Sequence, residues 1–147
     1  MEIAILGLGC FWGPEIKFSK LDGVFKTEVG YCGGNSNQTN YNEVCTGQTN
    51  HAEVVKLDFD PKIISYEKIL KFFFEIHDPT TLNSQGPDFG TQYRSEIFCL
   101  NDQQKMIAKR LIDEQNKKLS KKVATKISLV KNYCVAEEYH QKYLEKR

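Results

Sequence analysis

The first apolar run, Ile3-Ala4-Ile5-Leu6 within Glu2 to Gly7, reads as a short buried strand. The Gly7-Leu8-Gly9 turn then leads to Pro14, a residue favoured in the first turn of a helix, so a helix is predicted to about Lys20. Val24 to Tyr31 alternates, includes β-branched residues and reads as a second strand. Gly33-Gly34-Asn35-Ser36-Asn37 breaks it and opens a polar loop that extends to about Asn50. Ala52 to Phe59 sets Val54, Leu57 and Phe59 among charged residues and stops at Asp60-Pro61, which predicts a third strand. Ser65 then caps a predicted helix, Tyr66 to Ile76. Its Ile69, Leu70, Phe72, Phe73, Phe74 and Ile76 require it to be largely buried, and His77-Asp78-Pro79 ends it.

A second long loop, Thr80 to Tyr93, precedes a strand predicted at Ser95 to Leu100. Asn101 or Asp102 caps the next helix, which carries Met106, Ile107, Leu111 and Ile112 on one face. The Lys117-Lys118 and Lys121-Lys122 pairs read as its solvated end. Ala124 to Val130 is predicted as the last strand and Glu137 to Lys146 as a terminal helix. Strands and helices alternate imperfectly, which predicts an α+β fold: a two-layer α/β sandwich with a ferredoxin-like split βαβ core. No repeat or linker interrupts the 147 residues, so a single domain over 1–147 is expected.

Charge narrows the partners. Lys and Arg total 20 against 19 Asp and Glu, which gives none of the basic excess that would draw the chain onto nucleic acid or an anionic membrane. Apolar runs are far shorter than the ~20 residues that cross a bilayer. Glu2 stands where a signal peptide would carry basic residues, and no small-residue cleavage site follows, so a cytoplasmic, monomeric protein is expected. The 5 cysteines are an odd number without any Cys-x-x-Cys, which argues against a disulfide framework and against a metal site and leaves at least one thiol free.

The chemistry concentrates at Gly9-Cys10-Phe11-Trp12-Gly13-Pro14-Glu15, a cysteine at a strand-to-helix turn. Free backbone N–H groups and the positive end of the helix dipole there favour a thiolate, so Cys10 is placed to be a nucleophile. Phe11 and Trp12 beside it have the size and position to frame an apolar pocket. The same residues also read as a small buried hydrophobe among core aromatics.

This segment resembles the active-site motif of peptide methionine sulfoxide reductases of the A type. Further blocks similar to that family follow in the same order: Gly30-Tyr31-Cys32-Gly33-Gly34, Tyr41-Asn42-Glu43-Val44-Cys45-Thr46-Gly47, His51-Ala52-Glu53-Val54-Val55, His77-Asp78-Pro79, Gln85-Gly86, Asp88, Gly90-Thr91-Gln92-Tyr93-Arg94-Ser95 and Ala136-Glu137-Glu138-Tyr139-His140-Gln141-Lys142-Tyr143-Leu144. Pro87 departs from the family's usual Asn, in a loop. The resemblance implies reduction of methionine S-sulfoxide, free or in proteins, with Cys10 as nucleophile and Glu53 as acid. Donating a proton at neutral pH requires a raised carboxyl pKa, obtainable by burial. Tyr41 and Tyr93 match the two tyrosines that hydrogen-bond the sulfoxide oxygen, Phe11 and Trp12 would hold the S-methyl group, and His51 and Asp88 match supporting residues of the substrate site. His140 is expected to be structural.

Two other classes fit parts of the pattern. A Cys–His hydrolase would pair Cys10 with His51 or His140, although nothing ties an orienting Asn or Asp to them. A non-catalytic ferredoxin-like interaction domain would carry Cys10 as an ordinary thiol. Many members of the resembled family continue into a glycine-rich tail with resolving cysteines, whereas this sequence stops at Lys146-Arg147. Recycling of a Cys10 sulfenic acid is therefore expected to use an external thiol: glutaredoxin with glutathione, thioredoxin or dithiothreitol. Cys32, beside two glycines, is the internal thiol expected to have freedom to move, while Cys45 and Cys99 read as inert in apolar contexts.

Overall fold

The computed structural model describes residues 1–146. Strand β1 (Glu2–Leu8) leads into helix α1 (Trp12–Ser19), β2 (Val24–Cys32), a short helix α2 (Tyr41–Cys45), β3 (Ala52–Phe59) and helix α3 (Tyr66–Glu75). A small hairpin of β4 (Ser84–Gln85) and β5 (Asp88–Phe89) follows, then a 3₁₀ turn at Thr91–Tyr93. Strand β6 (Ser95–Cys99), helix α4 (Asp102–Lys118), β7 (Lys126–Leu129), β8 (Cys134–Val135) and a 3₁₀ turn at Glu138–His140 complete the chain.

The main sheet runs β7-β6-β1-β3-β2-β8, with β3 antiparallel to both β1 and β2. Strands β1 and β2, joined through α1, are thus separated by β3, which is the split βαβ arrangement of a ferredoxin-like α+β sandwich. Strand alternation divides the side chains between two faces. Val29, Tyr31, Val55, Leu57 and Phe59 join Phe18 of α1, Ile69, Leu70 and Phe73 of α3, and Ala108 and Leu111 of α4 in the larger core. Ile5, Cys32, Ala52, Val54 and Phe98 form a smaller cluster on the opposite face. Each fully buried Leu, Ile or Phe contributes about 1.5–3 kcal/mol, so the helix-covered face supplies most of the stability.

The caps follow the local chemistry. Ser65 Oγ accepts from Lys68 N at 3.1 Å, and Asn101 Oδ1 accepts from Gln104 N at 2.8 Å. Met106 departs from its expected face: it is 71% exposed, and Gln104, Ala108 and Leu111 turn inward. The two long loops also hold more structure than their polar composition predicts, namely α2 in the first and the β4–β5 hairpin in the second.

The expected terminal helix over 137–146 does not form. Its side chains bond to the body of the protein in ways that a continuous helix would prevent. Gln141 Oε1 accepts from Val29 N and its Nε2 donates to Val29 O, both at 2.9 Å, so one side-chain amide pairs with the edge of β2. Lys142 N donates to Glu15 Oε1 at 2.7 Å, with the Lys142 backbone at φ 51°, outside the helical region.

Candidate active site

Strand β1 delivers the chain into the Gly9 turn, whose φ of 97° suits glycine. A Cβ at Gly9 would come within 2.9 Å of the Gln85 side chain, so the β4–β5 hairpin packs directly over this turn. Cys10 follows, half-buried, and α1 begins two residues later. Helix α1 has no side-chain cap, which leaves the first-turn N–H groups to other acceptors. Phe11 N–H donates to Glu53 Oε1 at 3.2 Å.

Glu53 reaches this turn because β3 alternates: Ala52 and Val54 point into the smaller cluster, and Glu53 points to the helix-covered face beside its cross-strand partner Tyr31. It is 1% exposed, and Oε2 has no hydrogen-bond partner among the described residues. Burial pushes its carboxyl up from 4.5 to about 8, against the pull of the Phe11 N–H, with Asp88 adding to the rise. The group is therefore a neutral acid at pH 7.

The sequence predicts a stabilised Cys10 thiolate, and the structure overturns this. Burial raises the Cys10 thiol to about 11; the Trp12 N–H lowers it but does not compensate, and the Glu53 and Asp88 charges raise it further. One turn of exposed helix dipole is outweighed by desolvation of the sulfur.

Tyr41, Tyr93 and Asp88 converge on the same turn from separate elements. Tyr41 opens α2, capped by Asn40 through Glu43 N at 2.9 Å, with its own N–H held by Glu137 Oε2, also at 2.9 Å. Tyr93 closes the 3₁₀ turn, and its phenol is pushed up to about 12, chiefly by burial and then by the Glu53 charge. Burial also raises the Tyr41 phenol, which meets the Cys45 thiol one helical turn on. Both phenols stay protonated and can donate hydrogen bonds. Phe11 is buried against Tyr31 and His140 at ring separations of 5.8 and 5.2 Å, while Trp12 is half-buried.

His51, expected as a supporting residue, braces the loop after β2: its Nε2 meets the Ser36 carbonyl at 2.8 Å and its ring packs on Gly34. Two expectations about the other cysteines need correction. Cys32 has no freedom to travel, because it ends β2 fully buried on the sheet face opposite Glu53, with Sγ donating to Lys131 O. Cys45, expected to be inert in an apolar context, is exposed at the end of α2, where its thiol meets the Tyr41 phenol. Glu137 stands in the last of the family blocks but was given no role by the sequence; it accepts from the Tyr31 phenol at 2.8 Å through Oε1 while holding Tyr41 N through Oε2. A Tyr-x-x-x-Cys spacing was the available signal for Cys45, had α2 been recognised. Nothing local signals Glu137.

Among the described residues no group of three or more His, Cys, Asp or Glu could hold a metal ion, and no helix is long and apolar enough to cross a membrane. Comparison with known proteins is consistent across the chain. The model of the peptide methionine sulfoxide reductase family matches residues 2–147. The chain is 80% identical over 147 residues to the peptide methionine sulfoxide reductase MsrA of Pelagibacter ubique strain HTCC1062, covering 100% of both. It is 51% identical to a probable peptide methionine sulfoxide reductase of Schizosaccharomyces pombe, covering 99% of this chain and 89% of the relative. Reduced Mxr1 from Saccharomyces cerevisiae has the same fold, with a TM-score of 0.93 at 43% identity over 99% of this chain and 85% of that one. Mxr1 in complex with Trx2 matches at a TM-score of 0.67 and 30% identity, over 97% of this chain and 84% of that one.

Proposed function

The chain belongs to the peptide methionine sulfoxide reductase family, and from that premise we propose that Cys10 attacks the sulfur of a methionine S-sulfoxide while Glu53 protonates the departing oxygen. The protein is an oxidoreductase that reduces methionine sulfoxide. The observation that carries the assignment of roles is Glu53: a fully buried carboxyl, neutral to about pH 8, bonded to the peptide that follows the Cys10 carbonyl.

The chemistry balances with these groups. A sulfur–sulfur bond forms as the S–O double bond opens, the oxygen takes a proton from Glu53 to become a hydroxyl on the substrate sulfur, and this hydroxyl passes to the Cys10 sulfur as the sulfur–sulfur bond breaks, which releases methionine and leaves Cys10 as a sulfenic acid. Sulfoxide sulfur is reduced by two electrons and Cys10 oxidised by two. With Cys10 at about 11 and Glu53 at about 8, both groups hold their protons at pH 7, so the Cys10 proton leaves as its sulfur attacks and replaces the one that Glu53 gives to the oxygen. Tyr41 and Tyr93 donate to the sulfoxide oxygen, Asp88 supports the acid, and Phe11 and Trp12 take the S-methyl group, which selects one epimer by shape. Recycling takes two thiol equivalents: the first displaces water from the sulfenic acid to give a mixed disulfide, and the second releases Cys10. The complex of the relative Mxr1 with Trx2 supports a thioredoxin-type donor, with glutaredoxin–glutathione as the other protein system to compare.

The test exposes the protein to one equivalent of each sulfoxide epimer without reductant, in the presence of a sulfenic-acid trap, followed by mass spectrometry. Oxidation of Cys10 by the S epimer alone is expected. Methionine formed with Cys10 still a free thiol, or equal consumption of both epimers, would overturn the assignment.

A further inference from the structure

The indole of Trp12 is held from the far end of the chain. Its Nε1–H donates to His140 Nδ1 at 3.0 Å, across 128 residues of sequence, and its ring stacks on Tyr143 at 3.8 Å and 13°. His140 is itself 2% exposed, packed against Phe11, Tyr41 and Tyr139 at ring separations of 5.2, 4.7 and 4.2 Å. Resting on the proposal that Trp12 walls the substrate pocket, we infer that His140 is a positioning residue, which fixes the indole through an Nδ1 acceptor available in one tautomer of the neutral ring.

The tautomer follows from the donor count. Indole N–H cannot accept, so Nδ1 must present its lone pair and the ring proton sits on Nε2. Nε2 is buried with no partner among the described residues, which leaves that proton where no acceptor competes for it. Protonation would turn Nδ1 into a donor facing another donor, and the bond would be lost. Burial opposes this by lowering the His140 pKa below 6.5, and the Glu137 carboxylate of its own segment raises it in part. The other groups facing the ring are the Tyr41 phenol from α2, Tyr139 beside it, and the uncharged Phe11 and Trp12 at the start of α1.

The chain contains 1 tryptophan, so its emission reports this contact directly. His140→Phe keeps a ring but removes the acceptor, and His140→Asn restores an acceptor at the position of Nδ1. The phenylalanine variant is expected to raise KM for methionine S-sulfoxide about 2- to 12-fold, the range that one hydrogen bond allows. Its single-turnover rate at saturation should stay within about twofold, and its emission maximum should move as the indole loses its acceptor. The asparagine variant should return both readouts toward wild type. In the wild type, emission should change in a single step below pH 6.5, a step missing in His140→Asn.

Unchanged KM and emission in His140→Phe would overturn the inference, as would equal damage in both variants, which would mean that ring volume alone matters. Should the phenylalanine variant not fold, absence of the acid step in wild-type emission overturns it equally. Failure of the wild type to reduce methionine sulfoxide would instead remove the proposed function and leave the emission measurements to decide the anchor.

Discussion

Replacing Glu53 by glutamine should make the protein more stable at alkaline pH while disabling its chemistry, and the size of the first effect follows from burial. In the unfolded chain the carboxyl ionises at 4.5; in the fold it holds its proton to about 8. Between those values the folded state binds more protons than the unfolded state, so stability falls as pH rises, by about 1.4 kcal/mol per pH unit. The full cost, reached above pH 8, is about 5 kcal/mol, a large share of the 5–15 kcal/mol typical of a domain. A glutamine side chain has nearly the same shape and could still accept the Phe11 N–H, but it has no proton to lose. Any cost of its unpaired amide is the same at every pH. Urea unfolding of both proteins at pH 5 and pH 9 isolates the term, because the other titrating groups cancel in the difference. The stability of the variant relative to wild type should rise by about 4 kcal/mol between the two conditions, since a small part of the cost is already present at pH 5. Single turnover should meanwhile slow by about 10²- to 10⁴-fold, as for a lost general acid. A relative stability that moves by less than about 1 kcal/mol would refute the buried neutral carboxyl. An unchanged single-turnover rate would move the acid to a tyrosine.

Cys10→Ser should abolish turnover with the fold intact, checked by circular dichroism and activity together; retention of more than a few per cent of the activity would remove Cys10 as the nucleophile. Gly34→Ala should destabilise the fold by about 1–3 kcal/mol, because its Cβ would lie 2.1 Å from His51 Nδ1. Adding His51→Ala should then reduce the penalty of Gly34→Ala in a double-mutant cycle of urea midpoints, and strict additivity would count against the packing argument.

Much of this protein was legible one neighbourhood at a time. The strands over Val24–Cys32 and Ala52–Phe59, the caps Ser65 and Asn101, and the cysteine at a strand-to-helix turn depend on residues two to four positions apart, where period and turn chemistry act. Family resemblance added Glu53, Tyr41 and Tyr93 as candidates, and alternation along β3 explains why Glu53, between Ala52 and Val54, faces the turn. Other outcomes came from contacts between distant segments, which no local pattern displays. Residues 137–146 have helical composition, yet Glu137 meets Tyr31 across 106 positions and Gln141 meets Val29 across 112, and bonds to the sheet edge displace the helix. Cys32 is buried and Cys45 exposed, against expectation, because a sheet has two faces and a polar loop folded into α2. The Cys10 thiol rises because desolvation, a sum over everything packed around the sulfur, outweighs the one helix end that the sequence displays. Periodicity is a property of a segment; burial and charge are properties of the assembled molecule.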